Sequence, residues 1–264
     1  MCRPIQILLL AGALWAQTSA TEPVKVPFSC SEADLAGAGM TCADDNPCPV
    51  YLELSSVSAD GRKLIVTGDL HGPSATIASV LLQSEDDGVT WKEPAGRITG
   101  SALDLSQWLD ARHGWAGGEV EQPLSRDPFF MVTSDGGATW RQKEVSEDGI
   151  PGELMRFWFD TPEHGELIVD AGRSAEGGRY QMYESKTGGE TWTVVSKTSG
   201  VPQLRRTPGL IDPDYRIATD SPTKTYVVEK RNGDDWSHVA SFAIQVASCG
   251  APPEPAVEEP PDAK

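Results

Sequence analysis

Three short acidic segments recur along this chain, and they are its first candidates for chemistry. They are Ser84-Glu85-Asp86-Asp87-Gly88-Val89-Thr90-Trp91, Thr133-Ser134-Asp135-Gly136-Gly137-Ala138-Thr139-Trp140 and Ser185-Lys186-Thr187-Gly188-Gly189-Glu190-Thr191-Trp192. The shared pattern is Ser/Thr-x-Asp-x-Gly-x-Thr-Trp, with Thr187 in place of the Asp in the third copy. A repeated carboxylate could serve acid–base chemistry or hold a cation. Neither fits well. Asp44-Asp45-Asn46 and Glu85-Asp86-Asp87 lack the alternating oxygen-ligand spacing of a calcium loop. The histidines His71, His113, His164 and His238 form no metal pattern, and His113 and His164 occupy the same place before a turn glycine. No nucleophile elbow, phosphate loop or nucleotide fingerprint is present. The sequence therefore assigns no catalytic residue, no metal and no cofactor.

Each conserved-type residue of the box has a structural job instead. The Asp carboxylate accepts hydrogen bonds from turn N–H groups. Gly supplies a positive φ. Thr suits a strand leaving the turn. Trp places a large ring between neighbouring sheets and brings an N–H that needs a partner. The expected scaffold residues are Ser84, Asp86, Gly88, Thr90 and Trp91; Thr133, Asp135, Gly137, Thr139 and Trp140; and Ser185, Gly189, Thr191 and Trp192.

The elements that position the boxes follow from their spacing. The tryptophans at 91, 140 and 192 are 49 and 52 residues apart, and a relic, Glu229-Lys230-Arg231-Asn232-Gly233-Asp234-Asp235-Trp236, follows 44 residues on. Such a period marks propeller blades of four strands. Strand-like runs precede each box at Ile77 to Gln83, Phe129 to Thr133, Arg179 to Glu184 and Thr225 to Glu229. Further upstream, Tyr51 to Leu54, Leu103 to Leu109 and Leu154 to Phe159 each lead to a Gly turn. Lys63 to Gly68, Trp115 to Gly117 and Leu167 to Ala171 come after those turns. The reading is an all-β β-propeller of four-stranded antiparallel blades, with about four recognisable and room for a fifth.

The boxes resemble Asp-box repeats, also called BNR repeats, over about Pro49 to Val246. Such repeats occur in sialidases, other glycoside-hydrolase-like propellers, sortilin-type receptors and the photosystem assembly-factor family. Asp110-Ala111-Arg112-His113-Gly114-Trp115-Ala116-Gly117-Gly118 is most similar to the last group and its uncharacterised bacterial relatives. The resemblance implies the fold and leaves the activity open, because these repeats serve unrelated functions. A sialidase-like enzyme would need an arginine triad, a Tyr–Glu pair and an Arg-Ile-Pro-type motif. Nothing resembling that motif precedes Ser84, and Arg205-Arg206 is the only arginine pair.

The chain has 264 residues and a formal net charge of −17. That charge argues against nucleic acid and against an anionic membrane surface as partners. Residues 1–20 read as a secretory signal with Arg3 at its start, an apolar stretch too short to span a membrane, and Thr18-Ser19-Ala20 at its end. The expected protein is secreted or periplasmic. Residues 21–48 form a Cys-containing arm, 49–249 the propeller and 250–264 a Pro/Glu-rich disordered tail. Four cysteines follow the signal, and two disulfides are expected in an exported chain. Ring closure suggests Cys48–Cys249 as a clasp and Cys30–Cys42 as a local staple.

Strand parity locates the binding face. The strand 1–2 turns and the boxes share one face; the strand 2–3 loops and the blade-to-blade links emerge on the other. Variable loops on a rigid scaffold carry recognition more often than repetitive turns. The candidates on that loop face are His71, Glu119, Arg126, Arg173 and Arg205. The expected function is a non-catalytic scaffold for a protein partner or glycan, and the alternative is a BNR-type glycoside hydrolase acting on extracellular glycans.

Overall fold

The computed structural model describes residues 22–121, 124–204 and 214–250. The segment expected to be a signal, most of the expected C-terminal tail and Arg205 lie outside the described residues. Runs of Val, Leu, Ile and Thr bounded by glycine turns form the strands. The first sheet contains β1 (Cys48–Asp60), β2 (Lys63–His71) and β3 (Thr76–Ser84). The second contains β4 (Ser101–Trp108), β5 (Gly114–Val120), β6 (Arg126–Thr133) and β7 (Arg141–Glu144). The third contains β8 (Glu153–Phe159), β9 (Gly165–Asp170), β10 (Tyr180–Ser185) and β11 (Thr193–Thr198). The fourth contains β12 (Tyr215–Asp220), β13 (Thr225–Asn232) and β14 (Asp235–Ala243), and the last strand is β15 (Gln245–Cys249). All pair antiparallel, in the orders β15-β1-β2-β3, β4-β5-β6-β7, β8-β9-β10-β11 and β12-β13-β14. The fold is the all-β, propeller-blade architecture; we number these sheets as blades I to IV.

Two details depart from the expected meander. After the first box the chain forms no fourth strand and makes only isolated bridges to β3, Gln83 to Lys92 and Ala78 to Thr99. Blade I reaches four strands because β15 returns to pair with β1, with Cys48 opposite Cys249. Blade IV keeps three strands, and the backbone of Val24 extends it, bonding Ser241 and Ala243 of β14 at 2.7 and 3.0 Å.

The box behaves as a hairpin staple. Asp135 accepts from Thr139 N at 3.0 Å, Thr139 Oγ1 at 2.6 Å and Thr133 Oγ1 at 2.9 Å. Asp86 makes the same three contacts with Thr90 and Ser84. These bonds, those from Thr139 first, hold the Asp135 carboxyl down at about 2. In the third box the Thr187 hydroxyl substitutes, accepting from Thr191 N at 2.9 Å. Gly137 sits at φ 84°, and a Cβ there would meet Gln83 Oε1 at 2.2 Å.

Each box tryptophan seats its blade on the preceding one. Trp140 of blade II donates to Gln83 Oε1 of blade I at 3.2 Å. Trp192 of blade III stacks on Phe130 of blade II at 5.3 Å. Trp91 of blade I lies edge-on to Phe242 of blade IV at 5.1 Å. The cores follow these seams. One joins Leu64, Val66 and Leu82 of blade I to Val228, Ala240 and Phe242 of blade IV. A second joins Ile65 and Leu81 to Trp108, Phe129 and Met131 of blade II. A third joins Trp115 and Phe130 to Phe157, Phe159 and Leu167 of blade III. The relic Trp236 does not seat this way. It lies between the guanidinium groups of Arg216 and Arg231, 4.3 and 5.0 Å from its ring centroid.

The arm is ordered. Its helix α1 (Glu32–Gly37) starts at Ser31, whose hydroxyl caps Asp34 N at 3.0 Å, and Leu35 packs into the blade I–IV core. The disulfide pairing corrects the expectation. Cys30 bonds Cys249 and Cys42 bonds Cys48. The pairing of β15 with β1 does bring Cys48 opposite Cys249. The arm then lies across that seam, and each of these cysteines bonds a cysteine of the arm rather than its strand neighbour.

Two measurements test this account. Cys30–Cys249 closes 219 residues and Cys42–Cys48 only 6. Removing the first pair should lower the unfolding free energy by about 5 kcal/mol and the second by about 2 kcal/mol, read from urea midpoints. Trp140→Ala should cost about 3–5 kcal/mol by the same measurement. Trp236→Ala should cost less than about 1 kcal/mol, since its ring fills no seam between blades.

Candidate functional site

The loop face is built by one repeated backbone device. In blades I, II and III the first strand carries a bulge, between Leu54 and Ser56, Leu103 and Leu105, and Leu154 and Arg156. The extra residues are Ser55, Asp104 and Met155. A glycine lies against the bulge in two of these blades. A Cβ on Gly68 or Gly118 would fall 1.9 Å from the carbonyl oxygen of Glu53 or Ala102. Bulges re-aim side chains at strand ends, and here they bring Asp104 onto the cavity that Glu53 and Asp69 line.

Just beyond each bulge, the equivalent cross-strand pairs carry acids, on both strands in blades I and III and on the second strand in blade II. Glu53 faces Asp69, Ala102 faces Glu119, and Glu153 faces Asp170. Like charges directly opposite each other weaken a sheet. The result is an acidic group at the loop-face ends of the inner strands. Burial, then the charges of Glu53, Glu121 and Asp104, push Asp69 up to about 8. Burial and the charge of Asp104 push Glu119 up to about 8, against an opposing hydrogen bond from Leu154 N at 3.3 Å. Asp104 is also raised, mainly by burial, with Ser55 bonding its charged form in opposition. Burial raises the Tyr226 hydroxyl, with Glu53 and Asp69 adding to it.

Two cavities open on this face. The smaller, about 370 Å3, is lined by Glu53, Ser55, Asp69, His71, Asp104 and Glu121 together with the loop at residues 72–76. His71 Nδ1 lies 2.8 Å from Gly72 O, Thr76 donates to Glu121, and His71 Nε2 stands 3.9 Å from Glu53. The larger, about 740 Å3, lies between blades II and III. It is lined by residues 124–126, 151–153 and 170–173 together with Arg179. Arg179 grips Asp170 with Nε and Nη2, and Arg126 pairs with Asp127 at 2.7 Å. Arg173 is exposed, and Leu124 is 77% exposed at the rim.

The residues expected from sequence thus divide. His71 lines the acidic cavity; Arg126 and Arg173 line the larger one. Glu119, 3% exposed, lines neither and lies buried between them. Arg205 lies outside the described residues. The sequence reading missed Glu53, Asp69, Asp104, Glu121, Glu153 and Asp170. A signal was present, because an acid recurs at the end of the second strand in three successive units. His113 and His164 serve their turns, with Asp110 within 3.0 Å of His113 Nδ1 and Asp160 2.5 Å from His164 Nδ1. Among the described residues no cluster of His, Cys, Asp and Glu is arranged to hold a metal, and no helix is long and apolar enough to cross a membrane.

The raised carboxyls set a pH dependence. A group whose folded pKa lies above its unfolded value stabilises the fold fully below that unfolded value. The contribution disappears as pH rises through the folded value. For Asp69 and Glu119 the window runs from about 4 to about 8. Asp69→Asn with Glu119→Gln should flatten the loss of stability between pH 5 and pH 8, seen as converging urea midpoints.

No protein-family model matches the chain, and no curated protein matches it either. Among solved structures it is similar to "YCF48 bound to D1 peptide", at 18% identity over 75% of this chain and 59% of that one, with a TM-score of 0.43. "YCF48 from Cyanidioschyzon merolae" is similar at 17% identity over 72% and 56%, with a TM-score of 0.38. The alpha-L-arabinofuranosidase Arb93A from Fusarium graminearum, in complex with an iminosugar inhibitor, is similar at 18% identity over 75% and 62%, with a TM-score of 0.34. The chain spans less than two thirds of the length of each of these proteins.

Proposed function

We propose that this protein is an exported Asp-box (BNR) propeller that binds a segment of a partner protein on its loop face. The observation that carries the reading is the larger cavity between blades II and III. Its volume of about 740 Å3 falls in the range of ligand sites. Its wall combines apolar surface from Leu124, Pro151 and Ala171 with arginine at its rim. Among the described residues none of its lining is aromatic, so it offers no flat ring there on which a sugar would stack. An extended peptide with an apolar side chain and a carboxylate fits that chemistry better than a glycan does. Two disulfides suit an oxidising compartment, and residues 1–20 are the segment that would direct export. Residues 21–48 act as the seam-covering arm, 49–249 as the propeller and 250–264 as a tail outside the scaffold.

The second reading, a glycoside hydrolase, draws on one observation: Asp69 is a proton-holding carboxyl lining a cavity. A general acid needs that property. Against it, Glu119 lines neither cavity, and the arginines line the other one.

Paired peptide and glycan arrays test the assignment. Arg173→Glu combined with Leu124→Asp should reduce peptide capture at least about tenfold, while Lys186→Ala on the box face leaves it unchanged. Loss of capture in Lys186→Ala alone would place recognition on the box face and overturn the reading. Release of reducing sugar from an array glycan, abolished by Asp69→Asn, would establish the hydrolase instead.

A further inference from the structure

The smaller cavity has a chemistry of its own, independent of what the larger one holds. Four carboxyl side chains line it: Glu53 from β1, Asp69 from β2, Asp104 from β4 and Glu121 just after β5. Among the described residues no lysine or arginine lines it. Three of the four carboxyls have a protein partner. Thr76 donates to Glu121, Ser55 bonds Asp104, and His71 faces Glu53. Asp69 is different. It is only 7% exposed, yet among the described residues nothing donates a hydrogen bond to it.

The Asp69 carboxyl opens onto the cavity rather than onto a protein donor, and the facing pair Glu53–Asp69 adds like-charge repulsion, which costs stability. A scaffold would gain by replacing either residue. Proteins keep such costs where function needs them.

We propose that this cavity is a recognition pocket for one organic cation, the ammonium or guanidinium head of a lysine- or arginine-type side chain, with Asp69 as its principal acceptor. A divalent metal is the wrong occupant, because no metal-holding cluster exists among the described residues. A volume of about 370 Å3 accommodates a side-chain head with its water. The N–H donors of the cation supply the bonds that Asp69 lacks, and its charge relieves the repulsion among the carboxyls. The chain's net charge of −17 would also draw such a ligand in.

Binding is coupled to protons. The titratable groups facing Asp69 are Glu53, His71, Asp104, Glu121 and Tyr226, with Glu119 and Glu153 behind Asp104. Free Asp69 holds its proton near neutrality. An arriving cation favours the carboxylate, so the proton leaves to solvent and affinity rises with pH.

Calorimetry on the full chain tests this with N-acetyl-arginine amide and N-acetyl-lysine amide. N-acetyl-citrulline amide serves as the neutral isostere and calcium chloride as the metal arm. At least one cation should bind while citrulline does not. Affinity should rise about fiftyfold from pH 6 to pH 8, and repeating the titration in buffers of different ionisation heat should show release of roughly one proton at pH 7. Asp69→Asn should weaken binding at least about tenfold, and so should Glu121→Gln on the other wall, with both variants keeping the wild-type circular dichroism. Equal affinity in wild type and both variants overturns the proposal. So does calcium binding more tightly than either cation, or the absence of binding by both cations.

Discussion

The structure depends on one docking step, the seating of each box hairpin against the blade before it. Gly137 lies so close to Gln83 that no β-carbon fits between them, and Trp140 donates its N–H to that same side chain. Gly88 abuts Val239 of blade IV in the same way, while Trp91 meets Phe242. The box hairpin is therefore shaped by its neighbour as much as by its own turn. Antiparallel meanders alone would leave four separate sheets, each with two apolar faces. The tryptophans and their glycines turn those sheets into a stack with a defined angle and order. Where the contact is missing, as at Trp236, the ring is instead held between arginines and joins no seam.

The two faces of the stack treat their carboxylates in opposite ways. On the box face, carboxylates are satisfied. Asp135 and Asp86 each collect three hydrogen bonds within their own turns, and their charged forms are favoured. On the loop face the same residue type is placed against its own preference. Asp69 and Glu119 are buried and Asp104 is half-buried, and all three hold their protons above the usual carboxylate range. One chemical group thus serves as a staple at one end of the strands and as an unfulfilled acceptor at the other. The physical difference is burial together with fewer donors at the bulged strand ends, where Glu119 accepts from Leu154 N and Asp104 from Ser55 while Asp69 accepts from no described residue.

The N-terminal arm completes this arrangement. Val24 adds backbone bonds to blade IV, Leu35 enters the core shared with blade I, and Cys30 ties the arm to the strand that closes blade I. Position along the chain explains why the cysteines resisted a sequence reading. Cys48 and Cys249 were correctly expected to meet, and they do so as strand partners. Their proximity did not determine their bonding, because the arm carries two further cysteines over the same seam. The loop-face acids resisted for a different reason. An isolated Asp or Glu in an acidic chain carries no information, whereas its recurrence after Gly68 and Gly118 and again at Asp170 does.

By itself the sequence determined the all-β blades, their period and the antiparallel order of strands in blades II and III. These follow from local rules: alternation of apolar residues, glycine at positive φ, and a carboxylate next to its own turn. Tertiary structure alone decided which cysteines bond, which sheet receives the last strand, and which carboxyls share a cavity. Each of those depends on groups separated by many residues meeting in space. Burial and mutual repulsion arise only once they meet, and those two effects separate the acids of the loop face from the acids of the boxes.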